Sequence, residues 1–396
     1  MDFDPPEAVR PLLERIEKFV AEVVIPAEAT VLAQGFTASA AVLDDLRAQC
    51  KAAQLWGPQL PAELGGLGLG LVAHGLVSER LGRSPLGHYV FGAQAPDAGN
   101  LEILHKYGTA EQKDKWLEPL AHGRIRSCFS MTEPENPGSN PTMLSCRAVR
   151  TGDEYVITGH KWFTSSADGA AFAIVMAVTD PNASPHSRAS MIIVPTDSPG
   201  FDLVRNIPIM GDAGAGYASH AEIQYRDVHV PVTNRLGPEG AGFLIAQERL
   251  GPGRIHHCMR WIGVCERVFD TMCRHITRRK IADDKTLASR QIAQAWVAEA
   301  RAEIDAARLM VLHCAWTIEK KGFSAARDQV SLIKFYVADV MLRLVDRAIQ
   351  LHGALGITSD TILAYYYVHE RGARIYDGPD EVHKMSVAKR ILARYA

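Results

Sequence analysis

Cysteine is scarce and unpatterned in this chain of 396 residues. The seven cysteines (50, 128, 146, 258, 265, 273 and 314) are odd in number, scattered, and form no C-x-x-C pair, so neither a disulfide framework nor a zinc site is indicated and they read as reduced core residues. Excess charge is also missing. Forty-three Lys and Arg stand against 45 Asp and Glu, a formal net charge of -2, so no global basic field recruits nucleic acid or an anionic membrane. No apolar run reaches the roughly 18 residues of a membrane span, and the opening Met1-Asp2-Phe3-Asp4-Pro5-Pro6 has no basic n-region or apolar h-region. The expectation is a soluble, cytoplasmic protein without a signal peptide. The glycine-rich run from Pro61 to Gly70 lacks a following Gly-Lys-Ser/Thr, so a close-packed helix connection is preferred there to a phosphate loop.

What is present is an ordinary globular composition, 47% apolar and 22% charged, in enough chain for two or three domains around a large core. Pro11 to Ala29 and Val42 to Leu55 carry apolar residues at helical spacing, and the pattern returns from Val72 to Ala121. Thr109 and Gln112 within that stretch fit a capping box. The first 125 residues are therefore expected to be one helical domain. From 126 to 237 the pattern changes to short β-branched segments (Leu144 to Arg150, Glu154 to Thr158, Ala171 to Val178, Ala189 to Val194, Ala221 to Tyr225) separated by turn residues, which predicts a small β-barrel or sandwich. From 238 to 396 long helical patterns at Ile255 to Arg279, Leu287 to Lys321, Ala325 to His352 and Ile362 to Ile375 predict a four-helix bundle. The whole is an α+β multidomain chain.

The chemistry is expected at Arg374-Ile375-Tyr376-Asp377-Gly378-Pro379-Asp380-Glu381-Val382-His383, a turn between two helical patterns. Gly378 and Pro379 stop the first helix, and the Asp380 and Glu381 carboxylates suit the positive start of the next. A carboxylate on such a turn, Asp377, is held by rigid helices and can point into a cleft. From spacing alone, an αα turn whose acids merely cap is an equal reading.

A second stretch decides between the two. Cys128-Phe129-Ser130-Met131-Thr132-Glu133-Pro134, then Gly138-Ser139 and Lys161-Trp162-Phe163-Thr164, resembles the flavin-binding strands of the acyl-CoA dehydrogenase family. The helix, β, four-helix-bundle order is that family's architecture too. The family's C-terminal turn carries a Glu that takes the substrate α-proton, and Asp377 stands in its place, as in the branch of family members 10 and 11, which the run Ala246 to Arg260 also resembles.

The resemblance implies an FAD-dependent α,β-desaturation of an acyl-CoA thioester to the trans-2-enoyl-CoA, a step of fatty-acid oxidation. Such a reaction needs a base at the α-carbon, a hydride acceptor at the β-carbon and a polarised carbonyl, and the acceptor must be a cofactor because no side chain takes a hydride. Backbone groups of Phe129, Met131 and Thr132 would hold the pyrimidine end of the flavin, Trp162 would cover one face and Thr164 would sit near N5. Ala348-Ile349-Gln350-Leu351-His352-Gly353-Ala354-Leu355-Gly356 matches a segment that reaches the FAD of a neighbouring subunit, so Gln350, Gly353 and Ala354 are cofactor candidates, with Pro379 and Glu381 from the turn, and a homodimer or homotetramer is implied. An Arg followed three residues later by Phe crosses that interface in the family. In the run Arg279 to Lys285 here, Asp283 appears where Phe is expected and Arg279 or Lys280 must supply the charge. Arg249 would meet CoA phosphate, Ser139 the pantetheine arm, and Gly378 the substrate. An electron-transferring flavoprotein or equivalent would take the electrons.

Glu248 is the second candidate base, since some members place theirs on that helix. Asp is one methylene shorter than Glu, about 1.5 Å less reach, which costs a general base heavily unless the backbone compensates. Tyr376 and Gly378 keep the family turn around Asp377, which favours it. Arg254 and Arg260 read as a solvated helix face, and His256 and His257 as packed histidines. Two other readings compete: a flavin oxidase on the same fold, because nitroalkane oxidase also uses an Asp as base, and a non-catalytic acyl-CoA-binding member, suggested by Asp283.

Overall fold

A computed structural model of the chain describes residues 5–395. In chain order the elements are helical up to Ala121, stranded from Ser127 to Leu236, and helical again from Gly242. By contact they gather into two compact units, one of residues 5–26, 69–88 and 252–395, the other of residues 27–68 and 89–251.

The second unit is built on an eight-stranded mixed sheet. Its strands are β1 (Ser127–Ser130), β2 (Arg147–Thr151), β3 (Glu154–Ser165), β4 (Phe172–Val178), β5 (Ala189–Pro195), β6 (Phe201–Asn206), β7 (His220–Pro231) and β8 (Arg235–Leu236). They run β6-β7-β3-β2-β4-β5-β8, with β1 alongside β4. All seven β4 residues are buried because both faces of the strand are covered. Phe172, Ile174 and Met176 join a core with Leu101, Leu104, Trp116 and Leu120 of the preceding helices, while Ala173, Val175 and Ala177 join Tyr155, Ile157, Ile223 and Tyr225 of the sheet itself. The period-2 alternation of a strand thus feeds two cores at once. Strands β6 and β8 were not expected: β6 has no buried residue to produce an apolar alternation, and β8 is only two residues.

The same unit contains two local features read correctly from sequence. Thr109 Oγ1 accepts from the Gln112 amide and Gln112 Oε1 from the Thr109 amide, both at 3.2 Å, which completes the capping box. At Gly66 a Cβ would come within 2.3 Å of the Leu60 carbonyl and 2.5 Å of that of Gly57, so the glycine-rich run is indeed a close-packed connection.

The first unit is helical. Gly242–Arg278 from residue 252 onward, Gln291–Lys321, Arg327–His352 and Ile362–Glu370 are the expected bundle helices, and Asp380–Leu392 follows the turn. Its core includes Trp261, Val268, Ile304, Val311, Val337, Leu344 and Tyr366. Residues Lys280–Ala282 and Lys285–Thr286 pair antiparallel, so Asp283 and Asp284 occupy the tip of a short hairpin. Among the described residues no helix is long and apolar enough to cross a membrane.

Candidate active site

The turn between Ile362–Glu370 and Asp380–Leu392 is tightly wound. A 3-10 turn at Arg371–Arg374 continues the first helix, and the Ile375 and Tyr376 amides both donate to the Gly372 carbonyl. Asp377 then adopts φ 54°, a left-handed conformation that few non-glycine residues accept, Asp being one of them. Gly378 follows at φ 100°, where a Cβ would stand 2.8 Å from His383 Nε2. Two consecutive positive φ values reverse the chain and let Pro379 open the next helix.

Three basic side chains grip Asp377. Arg254 Nε donates to its carbonyl at 3.2 Å, His383 Nε2 donates to the same carbonyl at 3.1 Å, and His257 Nε2 lies 3.2 Å from its Oδ2. Nearby, Arg260 pairs with Glu370 and donates to the Tyr376 hydroxyl at 3.0 Å, which also receives the Trp261 indole N–H at 3.2 Å. Arg254 and Arg260 are therefore not a solvated face, and His257 is not merely packed: the expectation for all three fails. The signal was available, since 254, 257, 260 and 261 share one helix stripe. Beneath the turn, Asp380 is bound by Arg374 Nε at 2.7 Å and approached by Lys334 Nζ at 3.7 Å.

Burial shapes the protonation of this region. It pushes the Tyr376 phenol and the Cys258 thiol up, and holds His383 down to about 4 and His256 to about 3. Burial also lowers the Lys334 ammonium, with Asp380 and then Asp377 pulling the other way. His256 packs edge-on to His74, ring centroids 4.1 Å apart, in a buried pocket where Ser78 Oγ meets His88 Nε2 at 2.8 Å.

Glu248 has a different setting in the other unit. Lys106 Nζ donates to its Oε2 at 2.6 Å and the Tyr107 hydroxyl donates to the same atom. The Lys106 bond, then the Tyr107 bond, hold its carboxyl below the ordinary range. Both donors take the same oxygen and one is an ammonium, so this carboxylate is committed to its partners. Its neighbour Arg249 is bonded to Asn100 Oδ1 (3.0 Å) and the Pro96 carbonyl (3.2 Å), with its guanidinium 4.1 Å over the Phe129 ring. Arg249 thereby braces β1. On the helix that supplies Asn100, burial pushes Glu102 up to about 7 against the opposing charge of Arg249, a perturbed acid that no sequence spacing announced.

The flavin-like motif folds into one continuous patch. Lys161, wholly buried, donates to the Met131 carbonyl at 2.7 Å and to Glu133 Oε1 at 2.9 Å, and the Trp162 amide donates to the Thr132 carbonyl at 3.0 Å. Glu133 also accepts the Ser145 and Cys146 amides. Burial alone would raise that carboxyl, but Lys161 holds it below the ordinary range. These bonds consume the carbonyls of Met131 and Thr132 inside the chain, so their amides and the Thr132 hydroxyl are the groups suited to an incoming acceptor. The β3–β7 register slips between Lys161 and Thr164, with Phe163 at φ 49°. Such a bulge re-aims the side chains around it. Thr164 is buried 3.2 Å from Ser130 Oγ, and the Trp162 indole nitrogen is buried without a partner among the described residues. Ser139 is exposed on the loop that follows.

The remaining cofactor candidates lie on the surface of the bundle unit. Gly353 caps Arg327–His352 at φ 61°, with Gln350 and Ala354 exposed beside it, while Gly356 is required by packing because its Cβ would meet the Ile349 carbonyl at 2.6 Å. Arg279 and Lys280 are exposed at the foot of the hairpin. A cavity of about 310 Å³ opens there, lined by Arg274, His275, Arg278 and Arg279, and His275 stacks on His352 at 4.0 Å. Pro379 is half-buried and Glu381 exposed.

Comparison with known proteins matches this arrangement along almost the whole chain. The N-terminal, middle and C-terminal domains of acyl-CoA dehydrogenase align to residues 6–124, 128–228 and 240–392. The chain belongs to the acyl-CoA dehydrogenase family. A probable acyl-CoA dehydrogenase of Mycobacterium tuberculosis, FadE2, is 43% identical over 89% of the chain and 86% of its own length. Acyl-CoA dehydrogenase family member 11 of Rattus norvegicus is 39% identical over 96% of the chain, which spans 49% of that protein. The solved structure of a putative acyl-CoA dehydrogenase from Mycobacterium abscessus superposes with a TM-score of 0.93 at 40% identity, covering 100% of both chains. The three-part order of helical, β and helical domains is thus that of the acyl-CoA dehydrogenases, and the expected branch is the one found.

Proposed function

We propose that this acyl-CoA dehydrogenase family chain desaturates an acyl-CoA thioester between its α- and β-carbons, with Asp377 as the base. The observation that carries the reading is the left-handed Asp377, whose backbone is held by Arg254 and His383 and whose carboxylate meets His257. Glu248, tied to Lys106 and Tyr107, is the weaker base.

The cofactor is FAD, and the residues present fit it. The Trp162 indole, unpartnered among the described residues, the loop amides of Met131 and Thr132, and the buried Thr164 suit a polar planar ring, while the cavity among Arg274, Arg278 and Arg279, offered by a neighbouring subunit, suits a diphosphate. Asp283 stands where the family motif has Phe, and Arg279 or Lys280 supplies the motif's charge. FAD, when bound, supplies the hydride acceptor for the β-carbon. Asp377 accepts the α-proton, its own amide polarises the thioester carbonyl, Gly378 lets the substrate approach the turn, and Ser139 meets the pantetheine arm. Arg249 keeps Phe129 and its strand in place. Gln350, Gly353, Ala354, Pro379, Glu381, Arg279 and Lys280 form the cofactor surface contributed between subunits of a homo-oligomer, and an electron-transferring flavoprotein or equivalent reoxidises the enzyme.

Anaerobic titration of the purified flavoprotein with straight-chain and branched acyl-CoAs tests this. Wild type is expected to bleach with at least one of them, and Asp377→Asn to bind FAD without bleaching. Retained bleaching in Asp377→Asn with loss in Glu248→Gln would move the base to the other carboxylate. Oxygen uptake with nitroethane would instead favour the oxidase reading, which the aspartate itself motivates.

A further inference from the structure

We propose that His257 is a positioning residue for the base, its Nε2–H holding the Asp377 carboxylate in place and in its charged form. The proposal rests on Asp377 being the base and adds what makes so short a side chain serviceable.

Contact and support both point this way. His257 Nε2 is 3.2 Å from Asp377 Oδ2, and each side chain is only 22% exposed, so the contact is partly shielded from water. The imidazole is itself fixed. It stacks at 24° on Trp261, ring centroids 6.0 Å apart, and lies 5.3 Å from the Tyr376 ring. Trp261 is fully buried and donates to the Tyr376 hydroxyl, as does Arg260. The residue before Asp377 and the imidazole facing it are therefore locked to the same indole. Arg254 and His383 hold the backbone carbonyl of Asp377 from two other directions. Backbone and carboxylate are thus gripped separately.

Other charged and titratable groups face the turn from each neighbouring element. On the His257 helix, Arg254 adds a fixed positive charge and burial keeps Cys258 a thiol. On Arg327–His352, Lys334 is an ammonium that burial disfavours and that pairs first with Asp380. On Asp380–Leu392, His383 stays neutral down to about 4 and touches the carbonyl, and on the turn itself Tyr376 stays a phenol. A donor or cation within hydrogen-bond reach favours the ionised carboxylate by about 1–3 pH units. Removing it should move the acid limit of proton abstraction upward.

Infrared difference spectra of the holoenzyme minus Asp377→Asn, recorded against pH without substrate, read the protonation of this one carboxyl directly. In His257→Leu the midpoint is expected to rise by about one unit or more, a tenfold change in the protonated fraction, and in His257→Gln, which keeps an N–H donor, by less. The acid limb of anaerobic flavin bleaching by octanoyl-CoA should shift in parallel. Unchanged midpoints in both variants would overturn the proposal, and the Gln variant alone decides if Leu does not fold. Bleaching that survives in Asp377→Asn would sink the base assignment instead, a result the infrared titration does not share.

Discussion

Lys334 Nζ stands 3.7 Å from Asp380 Oδ1, both side chains are 1% exposed, and neither atom has a hydrogen-bond partner among the described residues. The two carry unequal burdens. Asp380 keeps Arg374 at 2.7 Å if the lysine is lost, whereas Lys334 loses its nearest counter-charge if the aspartate is lost. Asp380→Ala is therefore expected to cost about 3 kcal/mol or more, and Lys334→Met, of similar length and apolar, about 1 kcal/mol or less. Urea unfolding of the two variants measures this. Equal losses would contradict the asymmetry.

Acid should weaken the bundle unit over a defined window. His74, His88, His256 and His383 all have folded pKa values lowered by burial, to about 3 for His256 and about 4 for His383. A group depressed in the folded state contributes stability that is present above its unfolded value, near 6.5, and lost as pH falls through the folded one. Melting temperature is expected to fall steadily between pH 6.5 and 4. A flat profile across that range would show that these imidazoles are not kept neutral.

Glu102 works in the opposite direction. Its folded value of about 7 lies above the ordinary 4.5, so its contribution is present at low pH and lost as pH rises through 7. Glu102→Gln should raise the melting temperature at pH 8.5 and change it little at pH 4. A gain of equal size at both would mean that the charge is irrelevant.

Gly378→Ala tests the turn. The added methyl would meet His383 Nε2 at 2.8 Å from a backbone at φ 100°, so either the ring or the turn must move. A displacement of about 1 Å at the base costs on the order of 100-fold in rate. Stopped-flow bleaching slowed to that degree, with FAD absorbance intact, is the expected result, and wild-type rates would show that the turn tolerates the change.

Legibility from sequence followed locality. The Thr109 capping box involves neighbours three residues apart and could be read outright, as could the long helices of the bundle and the strands with strong apolar alternation. The Met131–Thr132–Trp162–Thr164 patch was found through motif resemblance, yet the bulge at Phe163 that shapes it leaves no mark in composition. His257 and Arg254 were misread for a different reason. An arginine on a helix normally faces water and a histidine on an apolar stripe normally packs, and the partner of both lies more than a hundred positions later in the chain. Spacing showed the stripe but not what covered it. The π-helical turns at Val20–Val24 and Lys113–Leu117 likewise have no signature that helical periodicity could separate.

The positive φ at residue 377 also bears on which amino acids evolution or a mutagenesis library could install there. β-branched side chains are the most strongly disfavoured there by the peptide geometry, while glycine and asparagine accept it readily but offer no base. Aspartate satisfies both filters. A random library at this codon should therefore be depleted in β-branched residues and return glycine and asparagine among its folded, inert variants, which makes the position a reporter of how backbone shape and chemistry are selected together.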